Sequence, residues 1–113
     1  MKSPTLTQRG NEVLWHPCTQ MQDHEAYSAI AIKRGSGIWL EDYDGRRYID
    51  AISSWWVNLF GHANPRINAA ITEQLGRLEH VILAGFTHEP IVTLSERLIA
   101  LAPKGLARCF YLS

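Results

Sequence analysis

The chain has 113 residues, 46% of them hydrophobic, and its eleven basic residues balance eleven acidic ones. That length suits one ordinary domain with a core, and the scattered, balanced charge leaves no electrostatic footprint for nucleic acid or anionic lipid. Cys18 and Cys109 form no CxxC and no disulfide framework, no stretch reaches membrane-spanning length, and residues 1–12 hold no apolar signal core, so a reduced, soluble, cytoplasmic chain is expected.

Residues 1–13 are polar and carry Pro4 and Gly10, which reads as a flexible arm. Leu14 to Met21 follows with Trp15, His16, Pro17 and Cys18. Pro17 disfavours helix at His16, so an anchored, extended segment is expected there. His16 and Cys18 are metal-ligand types, but no partner pair follows at ligand spacing, and no metal site is expected.

Residues 28–50 read as an antiparallel meander. Ile30 and Ile32 alternate with Ala29 and Ala31, Arg34 to Gly37 is a turn signal, and Ile38 to Asp42 is the next strand. Asp44-Gly45 has the composition of a two-residue hairpin turn needing positive φ at both centres, with Arg46 to Asp50 as the return strand. Three short strands cannot stand alone and must pack on something.

The stretch Tyr48 to Pro65 organises the rest. It begins as a strand, passes through adjacent Trp55 and Trp56, and ends in a helix start. Neighbours in a strand point to opposite faces, so the two indoles cannot share one core layer if this part is extended. Either both are core or subunit-contact residues, or one faces a ligand or second surface.

Asn64-Pro65 places an N-cap before a proline at the first helical position. Ile67, Ile71, Leu75 and Leu78 then recur at helical spacing as a core face. The loop Gly85 to Pro90 feeds a second helix whose Ile91, Leu94, Leu98 and Leu101 share a face, closed by Pro103 and Gly105. His88 reads as a solvated loop residue, with anion binding or a subunit contact as the other readings. Ala107 to Ser113 is expected as a last apolar strand. Its abrupt end suggests a piece of something larger.

Trp15-His16-Pro17, the Asp44-Gly45 hairpin, Asp50 to Trp56, Gly61 to Pro65, Leu83 to Pro90 and Arg108 to Ser113 together resemble one family. It is the adenosylmethionine–8-amino-7-oxononanoate aminotransferases of biotin synthesis, within the class III aminotransferases. The hairpin and the Gly-His-x-x-Pro helix start look like class III enzymes in general. Ser53-Ser54-Trp55-Trp56 and the Trp-His-Pro leader point to the biotin enzymes.

The resemblance implies an α/β architecture: the N-terminal portion of the type I pyridoxal-phosphate transferase fold, α+β within this chain, with a three-stranded meander, two helices and one strand of the large-domain sheet. Residues 1–13 would be the arm, 14–60 the start of the small domain, and 61–113 the lead into the large domain. The full protein would be a homodimer using pyridoxal phosphate to pass the amino group of S-adenosylmethionine to 8-amino-7-oxononanoate. Trp55 would face substrate, Trp56 less directly. Cys18 occupies a position where the family usually carries a substrate-contacting tyrosine, and a thiol cannot stack as that ring does.

The resemblance assigns no catalytic or cofactor-binding residue to this chain. Lys2, Lys33 and Lys104 all read as solvated surface lysines, and none matches the Schiff-base lysine. Two further readings stay open: part of another class III, omega-type aminotransferase, or a non-catalytic interaction module.

Overall fold

A computed structural model describes residues 5–112. The chain divides into two compact units, one up to Ala69 and one from Ala70 onward.

The first unit opens with helix α1, Leu6–Val13, where the sequence suggests an irregular arm. The helix is set by a capping box. The Gln8 amide donates to the Thr5 hydroxyl at 3.2 Å, and the Thr5 amide donates to the Gln8 side-chain oxygen at 2.8 Å. The Thr7 hydroxyl ties α1 to the Ala29 carbonyl at 3.3 Å. The rest of the expected arm, residues 1–4, lies outside the described residues. The leader beyond α1 is irregular, as Pro17 requires, with a turn at Pro17-Cys18 and a single turn of helix α2 at Asp23–Ala26.

Strands β1 (Ile32–Ser36), β2 (Trp39–Asp42) and β3 (Arg47–Ile49) form the expected antiparallel meander in the order β1-β2-β3. Two details differ from expectation. Arg34, Gly35 and Ser36 pair with Glu41, Leu40 and Trp39, so the first turn falls at Gly37-Ile38, with Gly37 at φ +57. The second loop holds three residues rather than two. The Asp42 amide donates to the Arg46 carbonyl at 3.0 Å, and Gly45 alone is left-handed, at φ +82. A three-residue loop needs positive φ only at its last position, and glycine supplies it.

Asp42 is the one buried residue among those described. Its carboxylate accepts from the Asp44 and Arg46 amides at 2.9 and 2.8 Å and from the Tyr48 hydroxyl at 2.8 Å. Burial pushes this carboxyl up, but the Tyr48 hydroxyl and the two amides outweigh it and hold it below the usual range. The Tyr48 phenol is raised in turn by its bond to that carboxylate.

Helix α4, Pro65–Leu75, starts where Asn64-Pro65 predicts and runs into the second unit. The Arg66 and Ile67 amides donate to the Asn64 side-chain oxygen at 3.1 and 3.3 Å. The second unit continues through a loop to helix α5, Glu89–Leu101, with His88 at its N-cap and Pro90 in its first turn. Leu94, Leu98 and Leu101 on α5 stay exposed.

The expected last strand is not paired: residues 107–112 join no sheet among the described residues. A strand is completed by a neighbour's ladder, and here the segment instead meets α5. Cys109 Sγ lies 3.8 Å from the Ser95 carbonyl, and the Tyr111 and Ser95 hydroxyls are 3.0 Å apart.

No apolar side chain is buried among the described residues. The order within the first unit rests on hydrogen bonds rather than on an apolar core.

Candidate functional site

Past β3 the chain does something its sequence does not announce. Residues Ser53–Trp56 form one helical turn, α3. Their φ angles are +50, +47, +67 and +67, so the turn is left-handed. Ser54 and Trp55 have ψ of 54 and 45. The Trp56 amide donates to the Ile52 carbonyl at 2.9 Å and the Val57 amide to the Ser53 carbonyl at 3.1 Å.

Left-handed helix costs an L-residue about 1–2 kcal/mol, because Cβ crowds the following carbonyl. None of these four residues is glycine. Six non-glycine residues among those described have positive φ, and five of them lie between Ser53 and Ala63. Strain of this kind persists only where the surroundings over-determine it, and it gathers at functional sites.

Here the surroundings are Asp50 and His62. The Ser54 amide donates to one Asp50 carboxylate oxygen at 2.8 Å. The Ser54 hydroxyl donates to the other at 2.7 Å, and His62 Nε2 meets that same oxygen at 2.7 Å. The Asp50 side chain is 6% exposed and that of His62 16%. The Ser54 hydroxyl and amide, then His62, hold the Asp50 carboxyl down to about 2 against the opposing effect of burial. An ionised carboxylate is the acceptor this arrangement requires.

His62 is placed by the first hairpin turn. Its backbone pairs with Gly37, amide to carbonyl at 2.8 Å one way and 3.0 Å the other. Its ring lies over Gly35, where an added Cβ would meet His62 Cγ at 2.7 Å and Cβ at 2.8 Å. Gly61, at φ +79, leaves just enough room for the Gly37 backbone. A recess of about 90 Å³ beside the turn is lined by Ile38, Asp50, Ser53, Asn58 and His62.

The product of this clasp is a pair of presented indoles. Trp55 is 59% exposed and Trp56 78%. Their rings sit 6.3 Å apart at 65°, edge to face. A strand would send them to opposite faces, whereas a helical turn of either hand separates neighbours by about 100°. That is why the two stay together.

Of the residues singled out in the sequence, the structure joins Trp55 to Trp56. Cys18 sits apart in sequence, exposed in the Pro17-Cys18 turn at φ +59, and shares no hydrogen bond with α3 among the described residues. Asp50, Ser54 and His62 stood in the motifs without an assigned role. The i, i+4 spacing of Asp50 and Ser54 was the available signal.

Pyridoxal phosphate needs an amine for its aldehyde and donors for its phosphate. Lys33 on β1 and Lys104 beyond α5 are both exposed, Lys2 lies outside the described residues, and no lysine lines the recesses at α1, α3 or the sheet. The described residues do not by themselves fit that cofactor. Among them no group of three His, Cys, Asp or Glu could hold a metal ion, and no helix is long and apolar enough to cross a membrane.

The class-III aminotransferase family model matches residues 20–113. The adenosylmethionine-8-amino-7-oxononanoate aminotransferase of Helicobacter pylori is 52% identical over 100 residues, which is 88% of this chain and 22% of that protein. The crystal structure of the Methanocaldococcus jannaschii enzyme of the same name matches with a TM-score of 0.85 at 38% identity, over 91% of this chain and 24% of the other. An omega transaminase from Pseudomonas jessenii, solved in complex with PMP, matches with a TM-score of 0.84 at 28% identity, over 93% and 23%. The chain therefore spans less than a quarter of the length of these relatives.

Proposed function

The chain belongs to the class III aminotransferases, and from that premise we propose that it is the N-terminal part of an enzyme of biotin synthesis. That enzyme moves the amino group of S-adenosylmethionine to 8-amino-7-oxononanoate, giving 7,8-diaminononanoate. The whole protein uses pyridoxal phosphate, works as a cytoplasmic homodimer, and holds its cofactor through residues other than those described here. The 113-residue chain alone performs no amino transfer, because no described lysine is placed for it.

The observation that carries this reading is the tryptophan pair on its clasped turn. The acceptor substrate is a long methylene chain, and an exposed indole face offers apolar area with little rotamer freedom to lose. Trp55 is the substrate wall and Trp56 its neighbour. The 52% identity to a protein named for this reaction supports the same assignment. Exposed Val57, Leu59 and Phe60 beside the pair suit burial against a second subunit.

A second reading rests on the near-equal likeness to an omega transaminase, TM-score 0.84 against 0.85. The two are separated by the amino donor. In the full-length protein, transfer from S-adenosylmethionine to 8-amino-7-oxononanoate is expected, and Trp55→Ala raises KM for the acceptor by about tenfold, equivalent to about 1.4 kcal/mol of lost binding, with a smaller change in kcat. Transfer from simple amines but not from S-adenosylmethionine would select the omega reading.

A further inference from the structure

We propose that Asp50 is the positioning residue of the tryptophan pair: its carboxylate, pinned between Ser54 and His62, holds the left-handed turn that aims Trp55 at the acceptor substrate. The aim at substrate rests on the function proposed above. The hold on the turn rests on geometry alone.

Three features carry the inference. The turn is strained at four successive residues, none of which favours positive φ by its own chemistry. Asp50 is the carboxylate that bonds into the turn, and it does so at Ser54, the second of the four residues, through both the amide and the hydroxyl. The third bond, from His62, anchors Asp50 to a segment fixed independently on the Gly37 backbone. The clasp thus links a rigid hairpin to a turn that would otherwise relax to right-handed or extended backbone. Relaxation to extended backbone would send Trp55 and Trp56 to opposite faces, and relaxation to a right-handed turn would reverse the sense of the roughly 100° rotation between them. No described side-chain hydrogen bond joins Asp50 to either indole, and Asp50 acts on them through the backbone of the turn.

This makes the turn's hand, rather than the presence of tryptophan, the quantity that matters. Glycine adopts positive φ without steric cost. A glycine at Ser53, whose side chain enters none of the clasp's bonds, should therefore restore what loss of the Asp50 charge removes.

The test uses the full-length protein and two readouts. The first is the exciton couplet in circular dichroism that two coupled indoles produce, identified by its loss in Trp56→Phe. The second is KM for 8-amino-7-oxononanoate. Asp50→Asn is expected to lower the couplet at least twofold and raise KM several-fold, with kcat changed less. Adding Ser53→Gly to Asp50→Asn is expected to return most of both. An Asp50→Asn protein with couplet and KM unchanged overturns the proposal. So does a lost couplet that Ser53→Gly fails to restore, since that marks general misfolding rather than loss of the turn's hand. If the unsubstituted protein transfers no amino group from S-adenosylmethionine, the functional reading falls by itself, and the couplet and its rescue still decide whether Asp50 sets the turn.

Discussion

Two aspartates, Asp42 and Asp50, each gather three hydrogen-bond donors within the same unit, yet they hold very different backbone. Asp42 closes the β2–β3 loop with two amides and a tyrosine hydroxyl. The one left-handed position in that loop is a glycine, Gly45, and the strands on either side are joined by their own ladder. Asp50 instead closes on a turn whose left-handed positions are two serines and two tryptophans, with no ladder to support it. Where glycine supplies the positive φ, the carboxylate adds order to a loop that would form anyway. Where serine and tryptophan must adopt it, the carboxylate maintains a conformation the local sequence opposes. Spending side-chain chemistry on a strained turn makes sense when the side chains it presents have work to do.

The strongest way to break this contrast is Gly35→Ala. The new Cβ would lie under 3 Å from His62 Cβ and Cγ, atoms near the backbone that cannot swing aside. We expect a loss of about 3 kcal/mol, the upper end of the overpacking range. The loss should be confined to the Asp50 side. Amide exchange at Ser54 should accelerate and the tryptophan couplet fall, while the Asp44 and Arg46 amides, bonded to Asp42, keep their protection. Equal loss of protection at both aspartates would erase the distinction.

Acid sharpens the same comparison. The Asp50 carboxyl is held at about 2, below its ordinary value of 3.8, by Ser54 and then His62. The folded state therefore binds fewer protons than the unfolded one between these values. The stability so contributed is present above about pH 4 and is lost as the pH falls toward 2. His62 is the titratable group that faces Asp50, and it is bonded directly to it. Asp42 is also held low and loses its contribution in the same direction. Protonation should nonetheless cost the two regions differently. The couplet should fade between pH 4 and 2, while amides of the β2–β3 ladder, paired Trp39 to Ile49 and Leu40 to Tyr48, stay protected. A couplet unchanged at pH 2 would mean the turn does not depend on the carboxylate charge.

The hairpins and both long helices could be read from the sequence because their determinants are local. Gly37 and Gly45 mark the turns and Asn64-Pro65 marks a helix start, whereas the apolar stripe read as a core face on α4, Ile67, Ile71 and Leu75, stays exposed like the leucines of α5. Helix α1 is equally local but harder to see: Thr5 and Gln8 stand at capping-box spacing inside a polar stretch that looks like an arm. The left-handed turn was not legible. Ser53-Ser54-Trp55-Trp56 carries no glycine or asparagine, and its hand is set by Asp50 before it and His62 after it, with His62 in turn fixed by Gly35 and Gly37 across the hairpin. The tryptophans could thus be identified by their company in the motif, but the way they are presented could not. Strand pairing at 107–112 failed for a related reason: an apolar run names a candidate strand, and only a partner completes it.

The smallest expected effect lies on the Asp42 side. Gly45→Ala meets no atom within 4 Å, so the added methyl clashes with nothing outside its own backbone. Its cost is that of placing alanine at φ +82, about 1 kcal/mol. Asp42 should absorb this, because its bonds to the Asp44 and Arg46 amides bracket position 45. Amide exchange in β2 and β3 should quicken modestly, with the tryptophan couplet untouched. The informative partner is Ser53→Gly in the otherwise unaltered chain, the reverse exchange at the other aspartate, which should slow exchange at Ser54. If removing a glycine at one clasp and adding one at the other produced changes of the same sign, positive φ would not be what separates the two regions.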